Sequence, residues 1–392
     1  MIYFDCNATV PLHPAARQAW LDATDRTWHN PSGLHAAATI ARDVLDDSRD
    51  RLAALLGCDP ARVVFMAGAT AASNALARHV AATADPGSLT ILSAIEHPCM
   101  AESFAAALPG RLAEIPVDHD GVVSIDAAEA VLDAQPTRPA ILSVMAASNE
   151  SGTIQPWQAI AARCRTRGVP FHTDAAQWLG KCPARDLGAC DWVTGSGHKF
   201  GGPRGVGFLV VPEGGAAFRG DRGGPQENGR HAGTENVASI AAMVAALEAR
   251  EAEIVGRAEA WAAARDAAQR RLCERIPGAV VVGAGAPRLW NTLAVVIPGA
   301  DGRKLVARLS RRGVAASTGS ACSAGADAAA RILAAVGAEE LGLVPADLRG
   351  MVRLSGGWDT THDQWMEAAD SLAAAVRDSG DGPPRVSFTG SA

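Results

Sequence analysis

The feature that most constrains this chain is a rhythm. From about residue 15 to 235, short apolar runs alternate with longer alanine-rich stretches of helical pattern. Residues 63–66, 89–93, 141–145, 170–173, 191–194 and 206–211 read as strands, most of them bounded by turn residues. Strand and helix in alternation predict an α/β fold with a mainly parallel, doubly wound sheet. Such sheets bind ligands outside the carboxyl ends of their strands, so chemistry is to be sought there.

Beyond that region the pattern changes. A run rich in Ala, Glu and Arg over 237–276 predicts one or two helices. Strand candidates at 279–282, 292–297 and 351–355 then mix with helices at 302–312 and 361–376, which predicts a smaller α+β domain. With 392 residues, the chain exceeds what one hydrophobic core usually serves. The expected division is a large domain over 13–250 and a small one built from 1–12 and 251–377. The Gly-, Pro- and Ser-containing tail 378–392 is expected to be disordered.

Several function classes are disfavoured. A net charge of −6 argues against a nucleic-acid backbone as the main partner. No stretch reaches the eighteen or so apolar residues that span a bilayer, and the N-terminus lacks a signal-peptide pattern, so the cytoplasm is the expected location. Eight cysteines are scattered without a C-x-x-C pair, which favours neither a disulfide framework nor a metal site.

The most informative segment is Ser196-Gly197-His198-Lys199-Phe200-Gly201-Gly202-Pro203. A lysine among glycines at a strand end suggests a backbone that closely approaches a ligand. The plain alternative is an exposed lysine in a loop; the order needed for a nucleotide-binding P-loop is missing. Twenty-five residues earlier, Phe171-His172-Thr173-Asp174-Ala175-Ala176-Gln177 ends an apolar run in an aspartate. Asp174 taken alone reads more readily as a helix cap after a strand. Together, Lys199 and Asp174 are the pair that pyridoxal 5′-phosphate (PLP) chemistry needs: an amine that bonds the aldehyde, and a carboxylate that keeps the ring nitrogen protonated. A phosphate cup is expected where the strand 63–66 leads through Gly68-Ala69-Thr70 into a helix over 71–84, with free amides and the Thr70 hydroxyl as donors. Ser196 and His198 can add more.

The chain resembles the cysteine desulfurases of the aminotransferase class V group, which have the PLP-dependent transferase fold type I. The resemblance runs from Tyr3 to about Trp365 and rests on markers in family order: Tyr3-Phe4-Asp5-Cys6-Asn7-Ala8-Thr9, Asn30-Pro31-Ser32, Gly68-Ala69-Thr70, Glu96-His97, Asn149-Glu150-Ser151-Gly152, the Asp174 and Lys199 segments, Gly233-Thr234-Glu235-Asn236, Gly319-Ser320-Ala321-Cys322-Ser323 and Arg353-Leu354-Ser355. It implies that His97 stacks on the pyridine ring and helps move protons. Gln177 would bond the ring's 3′ oxygen, while Asn149, Asn7 and Arg353 would hold L-cysteine, Arg353 by a bidentate clamp on its carboxylate. Thr234 would reach the phosphate of a neighbouring subunit, implying a homodimer with shared sites.

Cys322 lies in a run of small residues that reads as a mobile loop, and the resemblance makes it the thiol that takes the substrate's sulfur. An inert buried cysteine is the bland reading of the same run, and Cys99, beside His97, is the rival nucleophile. The implied activity is desulfuration of L-cysteine to alanine, with the sulfur passed to an acceptor protein in a pathway such as iron–sulfur cluster assembly. Selenocysteine lyase, β-lyase and aminotransferase activities of the same fold are alternatives, as is a non-catalytic sulfur-relay protein. The family's glycine- and arginine-rich segment is altered over 223–234, where Asn228 and His231 stand at usual arginine positions, and Trp358-Asp359 breaks the pattern after Ser355.

Overall fold

A computed structural model describes residues 1–215, 217–319 and 330–378. Its strands, in chain order, are β1 (Ile2–Tyr3), β2 (Val63–Met66), β3 (Thr90–Ser93), β4 (Leu112–Ile115), β5 (Ile141–Ser143), β6 (Phe171–Asp174), β7 (Trp192–Ser196), β8 (Gly207–Val210), β9 (Val280–Val281), β10 (Thr292–Val296), β11 (Val314–Ala315) and β12 (Met351–Ser355). Seven of them form one sheet in the order β2-β8-β7-β6-β5-β3-β4. Every pairing is parallel except the two made by β8, so the sheet is mainly parallel as the alternation predicts. The central strands are wholly buried and rich in Val, Ile, Leu and Phe, the pattern of a sheet covered on both faces. One face carries Ile91, Val144, Phe171 and Val193 into a cluster shared with α1 (Pro14–Arg26), α2 (Ala36–Leu56) and the helices Trp157–Thr166 and Val237–Ile254. The other packs Leu92, Ile141 and Trp192 against α3 (Ala69–Thr83) and α4 (Pro98–Ala107).

The remaining strands form two small sheets, β12-β10-β9 and β1-β11, packed on the helices Ala258–Arg275 and His362–Arg377. The first residues of the chain belong by pairing to this part, because Ile2 and Tyr3 are in register with Val314 and Ala315. The predicted run 237–276 is two helices, Val237–Ile254 and Ala258–Arg275. The break falls at Gly256, whose φ of 84° suits glycine and stops the first helix. Among the described residues no helix is long and apolar enough to cross a membrane.

This topology builds an edge. β2, β3, β5, β6 and β7 run in one direction, so the segments that follow them converge on one rim of the sheet: Gly68–Thr70, His97, Asn149, Asp174–Gln177 and Ser196–Lys199.

Candidate active site

Lys199 lies on the connection that returns from β7 to the antiparallel β8, just past the strand tip. Its Nζ donates to the carbonyls of Asn7 at 2.8 Å and Ala8 at 3.0 Å, so the N-terminal segment lies across the site. The chain has three lysines. Lys304 is exposed on a remote helix, and Lys181 is buried with Nζ 2.6 Å from Gln177 Oε1. Lys199 alone stands at the rim with an amine beside open backbone.

Asp174 ends β6 and is 5% exposed. Burial pushes its carboxyl above the usual range; the Ala176 amide at 2.8 Å, His97, Lys199 and the Thr194 hydroxyl pull it back. His97 caps α4, and its Nδ1 accepts the Cys99 amide at 3.1 Å, which leaves the proton of the neutral ring on Nε2. Burial lowers the His97 pKa, while Asp174 opposes that shift. The three groups thus lie near enough to act on one another's charge, although 77 and 25 residues of chain separate them (97 to 174, 174 to 199).

The expected phosphate cup has the right parts. α3 starts at Ala69 behind Gly68, whose φ is 144° and which offers no side-chain cap. That φ favours glycine, and a Cβ built on Gly68 would lie 3.4 Å from Ser196 Oγ, which places the Ser196 side chain beside the helix start. The first amides of a fifteen-residue helix, the exposed Thr70 and the nearby Ser196 hydroxyl are donors of the kind that suit a dianion. His198 turns the other way: its Nδ1 is 3.2 Å from Thr9 Oγ1, and burial pushes its pKa down to about 4. Thr234 is exposed and makes no hydrogen bond among the described residues.

Arg353, in the centre of β12, is 2% exposed. Nη1 donates to the carbonyls of Asn149 and Gly319, each at 2.9 Å, and Nη2 to Asp5 Oδ1 at 2.6 Å. Nε has no partner among the described residues, an unmet donor on the edge of the guanidinium that a carboxylate fits. Asn7 is spent inside the protein: Nδ2 donates to the Asn149 carbonyl and to Thr292, and Oδ1 accepts from Asn291. It braces Asn149 rather than presenting a free amide. Gln177 is similarly held, with Oε1 on Lys181 and Nε2 on the Asn7 carbonyl at 2.9 Å. Cys322 lies outside the described residues. Cys99, the rival, has burial pushing its thiol up to about 12, with Ser73 at 3.5 Å as its partner, so it is poorly suited to attack.

The family model of the class-V aminotransferases matches residues 2–364. The chain belongs to the class-V aminotransferase family. Among its class-V relatives, the cysteine desulfurase IscS of Dictyoglomus turgidum is 32% identical over 381 residues, covering 96% of this chain and 94% of its own. A cysteine desulfurase of Gluconacetobacter diazotrophicus is 36% identical over 340 residues, 86% of this chain and 84% of its own. Among solved structures, a NifS-like protein superposes with a TM-score of 0.84 at 26% identity, covering 96% of this chain and 99% of that one. The structure of SspA in complex with cysteine gives 0.76 at 25% identity, over 92% and 100%. The fold is therefore PLP-dependent transferase fold type I, and family members of this kind use pyridoxal phosphate.

The residues present fit that cofactor. An uncapped helix start behind Gly68 suits its phosphate, Asp174 suits its ring nitrogen, and Lys199 is the lysine in the segment directly following a strand tip. Three residues that frame the site carried no role in the sequence reading. Lys181 holds Gln177 by its Oε1; its only signal was a lysine inside the apolar run Trp178-Leu179-Gly180-Lys181-Cys182. Glu96 is fully buried with Oε2 unpartnered among the described residues, and burial pushes it up to about 8. Asp5 pairs with Arg353. The altered segment is anchored too: Glu227 is buried, bonds both Arg49 Nη atoms at 2.8 Å and accepts the Phe65 amide. Trp358, the other departure, covers Arg250 at 4.9 Å.

Proposed function

We propose that this protein is a PLP-dependent cysteine desulfurase that converts L-cysteine to L-alanine and passes the sulfur to Cys322. The observation that carries the reading is the meeting of Lys199, Asp174 and His97 at one sheet rim beside a free helix start. When bound, the cofactor supplies an electron-accepting ring that eases loss of the substrate's Cα proton.

The chain's own residues divide the rest of the work. Lys199 would hold the cofactor covalently and would carry the Cα proton. Asp174 would keep its ring nitrogen protonated, and Gly68–Thr70 with Ser196 would hold its phosphate. His97, whose neutral ring has its proton on Nε2, would serve in proton transfer at the ring. Arg353 offers Nε and Nη2 to the substrate carboxylate, while Asn7 and Gln177 keep their neighbours in place. The Cys322 thiolate attacks the substrate sulfur; that sulfur leaves carbon, a persulfide forms on Cys322, and the substrate carbons depart as alanine. No outside oxidant is needed, because a carbon–sulfur bond breaks as a sulfur–sulfur bond forms.

The finer parts of the reading are a homodimer, in which the exposed Thr234 completes the neighbour's phosphate site, and an acceptor protein in the cytoplasm that takes the persulfide sulfur, as in iron–sulfur cluster assembly. The test is to load the purified protein with PLP and L-cysteine, quantify alanine, and map the persulfide by mass. Alanine with a persulfide on Cys322 is expected. Pyruvate and ammonia would make the protein a β-lyase instead, and keto-acid exchange an aminotransferase.

A further inference from the structure

Lys181 is a lysine that the proposed reaction does not use, and it is buried, with 5% of its surface exposed. Among the described residues its Nζ has one hydrogen bond, to Gln177 Oε1 at 2.6 Å, and no ion pair. Burial and the nearby Lys199 push its pKa down to about 7; Cys6, Cys182 and Arg250 are the other titratable groups around it. A methionine would fill the same length without burying an amine, so packing alone does not explain the residue.

The backbone aims this side chain. In the turn after β6 the Leu179 amide bonds the Ala175 carbonyl and the Cys182 amide bonds the Trp178 carbonyl, which sets Gln177 and Lys181 one helical turn apart. Two donors from other segments fix the carbonyls beside the side chain: Arg250 Nη2 on Gly180 at 3.1 Å and Trp290 Nε1 on Lys181 at 3.0 Å. Gly180 has a φ of 69°, and a Cβ there would lie 2.5 Å from the Phe200 Cβ, so the turn packs directly on the residue after Lys199.

The hydrogen bonds then fix which way the Gln177 amide faces. The Asn7 carbonyl can only accept, and Gln177 Nε2 lies 2.9 Å from it. The amide nitrogen must therefore face Asn7, and the amide oxygen must face Lys181, which donates. The same carbonyl accepts from Lys199 Nζ at 2.8 Å, so the nitrogen of Gln177 is turned toward the rim. That nitrogen carries two protons and has one acceptor among the described residues, which leaves a proton to offer.

We propose that Lys181 is a positioning residue: it holds the Gln177 amide by its oxygen, so that the amide nitrogen stands at the rim as a hydrogen-bond donor to an oxygen anion of the bound cofactor. The inference rests on the PLP reading for the identity of that anion, though not for the orientation of the amide.

The experiment is a pH titration of the visible band of the loaded protein. The proton of the covalent link at Lys199 titrates with that band, and a donor on the neighbouring ring oxygen favours the form that has lost it. Lys181→Met should therefore raise the midpoint by about one pH unit. Gln177→Leu should raise it by as much, and Lys181→Met should add nothing further in that background. Trp290→Phe, which removes the donor on the Lys181 carbonyl, should move the midpoint the same way by less, and it decides the matter if Lys181→Met does not fold. An unmoved midpoint would overturn the proposal, and so would additive effects, which would mean that Lys181 acts by its charge and not through Gln177. If wild type takes up no PLP, the functional reading fails instead, and the unloaded protein decides the orientation. Nitrogen-15 NMR of glutamine-labelled protein should then show the Gln177 amide protons exchanging about tenfold faster in Lys181→Met than in wild type. Equal exchange would leave Lys181 an ordinary buried lysine.

Discussion

The two ends of the candidate site are built differently. At the cofactor end, His97, Asp174 and Lys199 stand at the tips of strands in one sheet, and Asp174 is in register with Thr194 on the neighbouring strand. At the substrate end, the Arg353 guanidinium is held from residues 5, 149 and 319, which belong to three separate segments. Strand register presets the first end, because neighbouring strands cannot slip without exposing a whole buried face. The second end depends on loop carbonyls and on the carboxylate of Asp5. On the proposed reading, a substrate would meet a finished cofactor site but would compete with Asp5 for the Arg353 guanidinium. Changes at the first end should abolish chemistry, and changes at the second should alter substrate affinity.

The strongest challenge to this contrast is Lys199→Ala. It should lower alanine formation by about 10³-fold or more, since it removes the covalent anchor and the proton carrier together. The visible band of covalently held cofactor should vanish with it. Borohydride trapping followed by peptide mapping checks the assignment, because Lys181 and Lys304 are the only other candidates. A modified Lys181 would break the comparison at its root.

Next in size is Arg353→Lys. An ammonium cannot copy the planar fork, and the loss of one charge-assisted pair of about 2–3 kcal/mol predicts a KM for L-cysteine about 30- to 160-fold higher. The expected split is a raised KM with kcat changed by much less, read from steady-state alanine release. An equal fall in kcat would mean that Arg353 also shapes the cofactor end.

Glu96 probes how strongly the cofactor end is buried. Its folded-state pKa of about 8 stands above the ordinary 4.5, so between those values the unfolded chain gives up a proton that the fold retains. Stability must fall as pH rises through that window and level off above it. Glu96→Gln keeps an acceptor for the Met145 amide and Ser93 but cannot titrate. It should flatten the decline and, at pH 8, raise the unfolding free energy by about 2 kcal/mol in urea titrations. An unchanged pH profile would show that this side chain is not the source.

What the sequence disclosed follows the same division. β2 and β12 match their predicted spans, and the other predicted strands are displaced by one or two residues at their ends, because fully buried Val/Ile/Leu runs leave no alternative register. β4 escaped prediction: Leu112–Ile115 is an edge strand with three half-exposed or exposed positions, so its apolar signal is weak. β1 and β11 are two residues each, too short for any periodicity. Lys199 and Asp174 were legible because a lysine among glycines and an aspartate closing an apolar run are chemically odd. Asp5 and Lys181 were not, since each acquires its meaning from a partner that only the fold brings to it. Gln177 and Asn7 stood out, yet their amides are already engaged within the protein.

The smallest predicted effect is the sharpest test of the substrate end. Asp5 is a part-exposed carboxylate on Arg353 Nη2, the same nitrogen that must help hold an incoming carboxylate. Its negative charge repels the substrate while it orients the guanidinium, and the two effects oppose each other. Orientation is already secured by two carbonyls on Nη1, so repulsion is the larger loss when Asp5 is neutralised. Asp5→Asn should therefore lower the KM for L-cysteine about threefold, within the range of a single part-exposed charge pair, and leave kcat and the cofactor spectrum alone. A raised KM would mean that Asp5 serves mainly as a brace. A changed spectrum would mean that the two ends are one unit, because a charge just beyond β1 would then be felt at the ring.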